Sequence, residues 1–198
     1  LMDAHPKCLQ ELITQFSSLP GIGKKTAERL SIHVLNSSKD KIKLFSSALS
    51  NLKDLVNTCS VCFCFIEDDS CHICEDAYRD DKLLCIVKDP TDIFLIEKSG
   101  FKGKYHILGG LISPLDGITP ESLNIDALDK RLEKTEEVIM AIDPSNEGDM
   151  TILFITKIIK NYGIKITRLA RGIPVGSSLE FVDEVTLTHS LNDRVEMK

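Results

Sequence analysis

Cys59-Ser-Val-Cys62 and Cys71-His-Ile-Cys74, two Cys-x-x-Cys turns eight residues apart, decide how this chain is read. Two such knuckles supply four thiolates at the spacing of a tetrahedral zinc site, with no position left open for water. A Zn²⁺ held by Cys59, Cys62, Cys71 and Cys74 is therefore expected to be structural, one per chain. Residues 57–77 contain few apolar side chains, and metal binding of this kind contributes roughly 10–16 kcal/mol to folding such a segment. Cys64 offers an alternative register to Cys62, and His72 a rival ligand; the even pairing favours the four-cysteine set. Cys8 and Cys85 stand in apolar surroundings and read as small buried hydrophobes. Upstream of the knuckles the chain reads as short helices, and downstream as alternating strands and helices.

A chain of 198 residues with 42% hydrophobic content can build one good core with small attachments. No apolar run approaches the ~18 residues that would span a bilayer. The first residues show neither a basic region nor an apolar core of an export signal, and the seven cysteines are an odd number. Metal rather than disulfide chemistry, and a cytoplasmic location, are expected. The net charge of −6 is unevenly placed: residues 1–57 hold eight Lys and Arg against five Asp and Glu, a net +3, which leaves −9 on the rest. This fits one basic face meeting phosphate on an acidic body, and equally a solvated distribution without a partner.

Leu9, Leu12, Ile13 and Phe16 recur at helical spacing, predicting a helix over about 5–17. Leu19-Pro20-Gly21-Ile22-Gly23 breaks it, and Ala27, Leu30 and Val34 resume the period on a second helix from Lys24. Two helices joined by Pro-Gly-Ile-Gly resemble the helix-hairpin-helix DNA-binding motif. Glycines at Gly21 and Gly23 are expected to take conformations closed to other residues and to let backbone amides approach a phosphate. The second helix directs its N-terminal dipole at the same anion, with Lys24, Lys25 and Arg29 adding charge. Binding of this type is sequence-independent and sensitive to salt. A third helix is predicted over about 40–57 with Ile42, Phe45, Leu49, Leu52 and Val56 inward; Lys39, Lys41 and Lys43 at its start are either a phosphate rim or a solvated face.

Beyond the knuckles, Leu83–Val87 reads as a strand buried on both faces. Asp89 is placed to cap a following helix with Pro90 in its first turn, although Ile93–Ile96 also suits a strand. Further strands are predicted at Tyr105–Leu108, Val138–Ile142 and Lys165–Leu169. Helices are predicted from Thr119-Pro120-Glu121 through Leu128 and Leu132, and from Glu147 to about Tyr162. Such alternation implies a mostly parallel sheet flanked by helices. The loop Ile142-Asp143-Pro-Ser145-Asn-Glu147-Gly148-Asp149 resembles the acidic motif of Toprim domains, which bind Mg²⁺ through a glutamate after the first strand and an Asp-x-Asp after a later one. Here Lys88 stands where that glutamate would be, and Ser145 replaces the second aspartate. Lysine has no lone pair for a cation. Asp143 and Glu147 remain for helix capping, a partner contact or a weak metal site, and Mg²⁺ lacks a full ligand set.

The order of hairpin, four-cysteine site, Toprim domain and short tail resembles the RecR family of bacterial recombination mediators. Tyr105-His-Ile-Leu-Gly-Gly-Leu-Ile-Ser-Pro-Leu-Asp-Gly117, Leu169-Ala-Arg-Gly-Ile-Pro-Val-Gly176 and Thr186-Leu-Thr-His-Ser-Leu191 extend the resemblance over nearly the whole chain. It implies an α/β protein with small helical and zinc modules: a helical domain over 1–56, a zinc finger over 57–77, a Toprim domain over 78–172 and a tail over 173–198; the segment after Gly176 lacks a clear core of its own and is expected to pack on a neighbouring subunit. It also implies DNA repair without catalysis. Family members form dimers that pair into a ring able to clamp duplex or gapped DNA, and act with RecO, often with RecF, to load RecA. By position, Gly21, Gly23, Lys25 and Arg29 fall on the DNA-facing hairpin. Two other functions compete: a Toprim-type metal-dependent nuclease or primase, and a zinc-organised interaction module without DNA contact.

Overall fold

The computed structural model describes residues 5–196, which divide into two units on either side of the Leu55–Val56 bond. The first unit is three helices: α1 (Lys7–Ser17), α2 (Lys24–Leu35) and α3 (Lys39–Leu55). Helices α1 and α2 close on small residues, with Ala27 and Ser31 fully buried on α2. Ser31 Oγ donates to the Ala27 carbonyl at 2.9 Å, so this hydroxyl is buried without an unmet polar group. The expected inward face of α3 is instead exposed. Phe45, Leu49 and Leu52 are open to solvent in the isolated chain, and Val56 leaves the helix to begin a strand. Periodicity marks a face to be covered and does not say what covers it. Cys8 is likewise exposed on α1, contrary to its expected burial.

In the second unit, β1 (Val56–Thr58) and β2 (Phe65–Glu67) form an antiparallel pair that frames the first knuckle. A four-stranded, all-parallel sheet follows, built of β3 (Asp80–Val87), β4 (Gly103–Ile107), β5 (Glu137–Ala141) and β6 (Lys165–Arg168) in the order β4-β3-β5-β6. Side chains alternate across it, as the strand period requires. Leu84, Ile86, Val138 and Met140 pack with Ile155 and Ile159 of α6 (Asn146–Ile159). Cys85, Val87, Tyr105, Ile107 and Ala141 pack with Ile93 of α4 (Pro90–Glu97) and with the knuckles. Both faces are thus covered, which accounts for the near-continuous apolar strands.

Helix α4 starts as expected. Asp89 accepts from the Thr91 amide at 2.9 Å, and Asp92 returns a bond to the Asp89 amide, closing a capping box with Pro90 in the first turn. The helix expected from Thr119 is broken into 3₁₀ turns at Pro120–Ser122 and Asp126–Leu128, and only α5 (Asp129–Leu132) is helical. Asn124 is the reason: its backbone amide donates to Leu108 and its side chain to the Ile107 carbonyl, holding the chain extended along β4. The end of the chain forms α7 (Glu184–Asn192), capped by Asp183 through the Thr186 amide.

Candidate nucleic-acid interface and metal centre

The turn between α1 and α2 is set by Pro20 and Gly21. The Ile22 amide donates to the Leu19 carbonyl at 3.1 Å, and Gly21 takes φ +77°, the left-handed position that follows proline in a type II turn. Gly23 is different. It caps α2 at φ −78°, an ordinary extended conformation, so its glycine is not demanded by backbone strain as expected. A Cβ at either glycine would meet nothing within 4 Å, so each faces open space. Gly23 brings no side chain to cap α2, which leaves the first-turn amides without a side-chain acceptor. Lys24, Lys25 and Arg29 are all exposed, and among the described residues none of them is paired with a carboxylate.

The four cysteines of the two knuckles come together, every Sγ lying within 4.8 Å of the others. The Cys59–Cys74 and Cys62–Cys71 sulfurs are 3.9 and 3.5 Å apart. A tetrahedron with metal–sulfur bonds of ~2.3 Å has edges of ~3.8 Å, so the donor set fits a metal ion and is compatible with structural zinc. The Val61 amide points at the Cys59 sulfur at 3.4 Å, and contact with Cys62 pulls the Cys74 thiol down to about 6. The Cys62 thiol is pushed up by the same contact and by burial. Cys64 and His72 stand outside the cluster, Cys64 buried beside it and His72 exposed.

The knuckles also cover the free edge of β4. The Ile107 amide donates to the Cys62 carbonyl at 3.0 Å, and Arg131 bridges the carbonyls of Val61 and Tyr105 at 3.0 and 3.1 Å. Lys104 reaches the carbonyls of Ile73, Cys74 and Asp76 at 2.9–3.0 Å. Sequence reasoning passed over both cations. The one signal was a lysine inside Gly103-Lys-Tyr-His-Ile107, a strand buried throughout.

At the carboxyl ends of β3 and β5 the acidic loop faces Lys88. Lys88 Nζ lies 3.2 Å from Asp143 Oδ2 and 3.9 Å from Asp89, and Asp143 in turn raises the lysine's pKa. Ser145 caps α6 by accepting from the Gly148 amide at 3.0 Å. Asp149 pairs with Arg171, and among the described residues Asp143 and Glu147 belong to no cluster of three or more potential metal ligands. Gly148 is required here, because a Cβ would fall 2.1 Å from the Asp143 carbonyl. Beside this loop is a cleft of about 560 Å³ lined by Asp92, Asp143, Asp149, Arg168, Arg171 and His189.

Comparison with known proteins matches the chain on either side of the knuckles to family models. Family models described as "RecR, helix-hairpin-helix", "Toprim domain" and "RecR, C-terminal" match residues 9–53, 82–170 and 172–195. The chain is 45% identical over 196 residues to "Recombination protein RecR" of Staphylococcus aureus strains Mu3, Mu50 and MRSA252, covering 98% of this chain and 99% of each relative. No helix among the described residues is long and apolar enough to cross a membrane. With its hairpin, its Toprim sheet and its C-terminal segment all matched in order, the chain belongs to the RecR family of recombination proteins.

Proposed function

We propose that this chain is a non-catalytic mediator of recombination and repair in the cytoplasm, a sequence-independent DNA clamp that acts with RecO, and RecF where present, to load RecA onto gapped DNA. One observation supports the reading: exposed Lys24, Lys25 and Arg29, none paired with a carboxylate among the described residues, surround a turn whose helix has no side-chain cap among those residues and whose glycines leave space for a phosphate. The remaining parts support it. Cys59, Cys62, Cys71 and Cys74 hold a structural Zn²⁺ that keeps the knuckles on the sheet edge. Closure into a homodimer or a tetrameric ring would cover the apolar stripe of α3 and the exposed Leu179, Phe181, Val185 and Leu191 of the tail.

The competing reading, a Toprim nuclease or primase, loses on Lys88. A cation fixed against Asp143 opposes Mg²⁺ at the place where the chemistry would need it. Asp143 and Glu147 are then a partner-contact surface. The test is RecA loading on a gapped duplex coated with single-strand-binding protein, in the presence of RecO. Wild type should accelerate loading and Lys25→Ala/Arg29→Ala should not. Equal stimulation by the double variant would refute DNA contact at the hairpin, and metal-dependent cleavage abolished by Glu147→Ala would refute the non-catalytic reading.

A further inference from the structure

Two buried or half-buried cations outside the cysteine set converge on the knuckles, and neither is needed to make a sheet. Lys104 is on β4 with only 9% of its side chain exposed, and it spends its ammonium on three carbonyls of the second knuckle and the residues that leave it. Asp81, exposed, approaches the same nitrogen at 3.4 Å. Arg131 lies at the end of the broken helical stretch and ties the first knuckle, at Val61, to the edge carbonyl of Tyr105. The arrangement is one cation per knuckle, each anchored on the sheet and each gripping backbone rather than sulfur. Such bonds from an ionised donor are stronger than neutral ones and define geometry.

We propose that Lys104 and Arg131 are positioning residues for the metal centre, holding the two knuckles at metal-binding separation against β4 and balancing the charge of four thiolates around a divalent ion. The inference rests on the metal reading of the four cysteines. Four thiolates and one divalent ion leave a charge of −2 in a half-buried place, which is unfavourable unless opposite charge is near. Arg131 and Lys104 bring two positive charges toward it, the lysine's shared with exposed Asp81. Loss of a partner that orients metal ligands typically lowers metal affinity by roughly one to two orders of magnitude.

The experiment compares the full-length wild type with Lys104→Met, Lys104→Arg and Arg131→Met. Zn²⁺ affinity is read by chelator competition, and Co²⁺ uptake by thiolate absorption. Each Met variant should bind Zn²⁺ roughly 10–100-fold more weakly, with the saturated Co²⁺ spectrum and the circular dichroism of the sheet unchanged. Lys104→Arg should recover most of the loss. Arg171→Met, which gives up an ion pair with Asp149 of α6 and touches neither knuckle, should lower the melting temperature and leave affinity intact. Wild-type affinity in both Lys104→Met and Arg131→Met, or an equal loss in Arg171→Met, would overturn the proposal. Should Lys104→Met fail to fold, Arg131→Met decides by the same criterion. A wild-type chain that takes up neither Zn²⁺ nor Co²⁺ would overturn the metal reading, and this inference with it.

Discussion

Lys88→Glu restores the acid that the Toprim pattern places after the first strand, and the surroundings of Lys88 fix what should happen. The wild-type ammonium is 3.2 Å from Asp143 and 3.9 Å from Asp89, with about a third of its side chain exposed. A pair this exposed contributes about 0.5 kcal/mol. Replacing attraction by repulsion among three carboxylates adds roughly 1–2 kcal/mol at the dielectric of a protein surface. The variant should therefore be less stable by about 2 kcal/mol, which in a chain of this size lowers the melting temperature by about 4–8 °C. Mg²⁺ reverses the sign of the local problem. A roughly millimolar site in ~10 mM Mg²⁺ returns about 1.4 kcal/mol, so most of the loss should disappear on adding the ion. Thermal unfolding of both proteins with and without Mg²⁺ is the assay. If Mg²⁺ raises the wild type as much as the variant, Lys88 does not block a cation, and the argument against metal chemistry fails.

Other consequences are as direct. Gly21→Ala forces φ +77° on a residue with a Cβ, at a cost of about 1 kcal/mol, whereas Gly23→Ala at φ −78° should melt like wild type; both should weaken DNA binding, and equal melting losses would contradict the turn assignment. His106 is buried with its pKa lowered to about 4 by desolvation. Because its folded pKa lies below the unfolded value of ~6.5, the unfolded chain binds more protons between those values. Stability should therefore fall by about 3 kcal/mol as the pH drops from 6.5 to 4. His106→Gln should flatten this slope in urea titrations at pH 7 and 4.5, and an unchanged slope would assign the loss elsewhere.

The alternation of β3, α4, β4, β5, α6 and β6 was legible because each element carries a local signal: apolar runs in the strands, and the Asp89-Pro90 start of α4. The four cysteines were legible because metal spacing is a local property of the chain. What escaped depends on long-range contacts. Asn124 breaks a helical stretch by bonding to β4, and nothing near Thr119 announces it. Lys104 and Arg131 look like ordinary surface charges until the knuckles close on the edge of the sheet. The α3 stripe predicted a buried face correctly as amphipathic pattern and wrongly as a contact within one chain, since Leu49 and Leu52 remain exposed. Gly23 shows a subtler limit: a glycine can be suited to a site by the space it leaves rather than by its dihedral angle.

The central claim is that the hairpin holds DNA through phosphate, and the salt dependence of binding measures it most directly. Binding of a labelled gapped duplex is followed from 50 to 200 mM salt, for wild type and for Lys25→Ala/Arg29→Ala, with and without RecO. Each phosphate contact contributes about 0.9 to the slope of log K against log salt, so two lost cations should flatten it by about 1.8 per binding chain. The account predicts weaker and flatter binding in the double variant, uniform across DNA sequences. An unchanged slope with unchanged affinity would contradict it and place the DNA on another face.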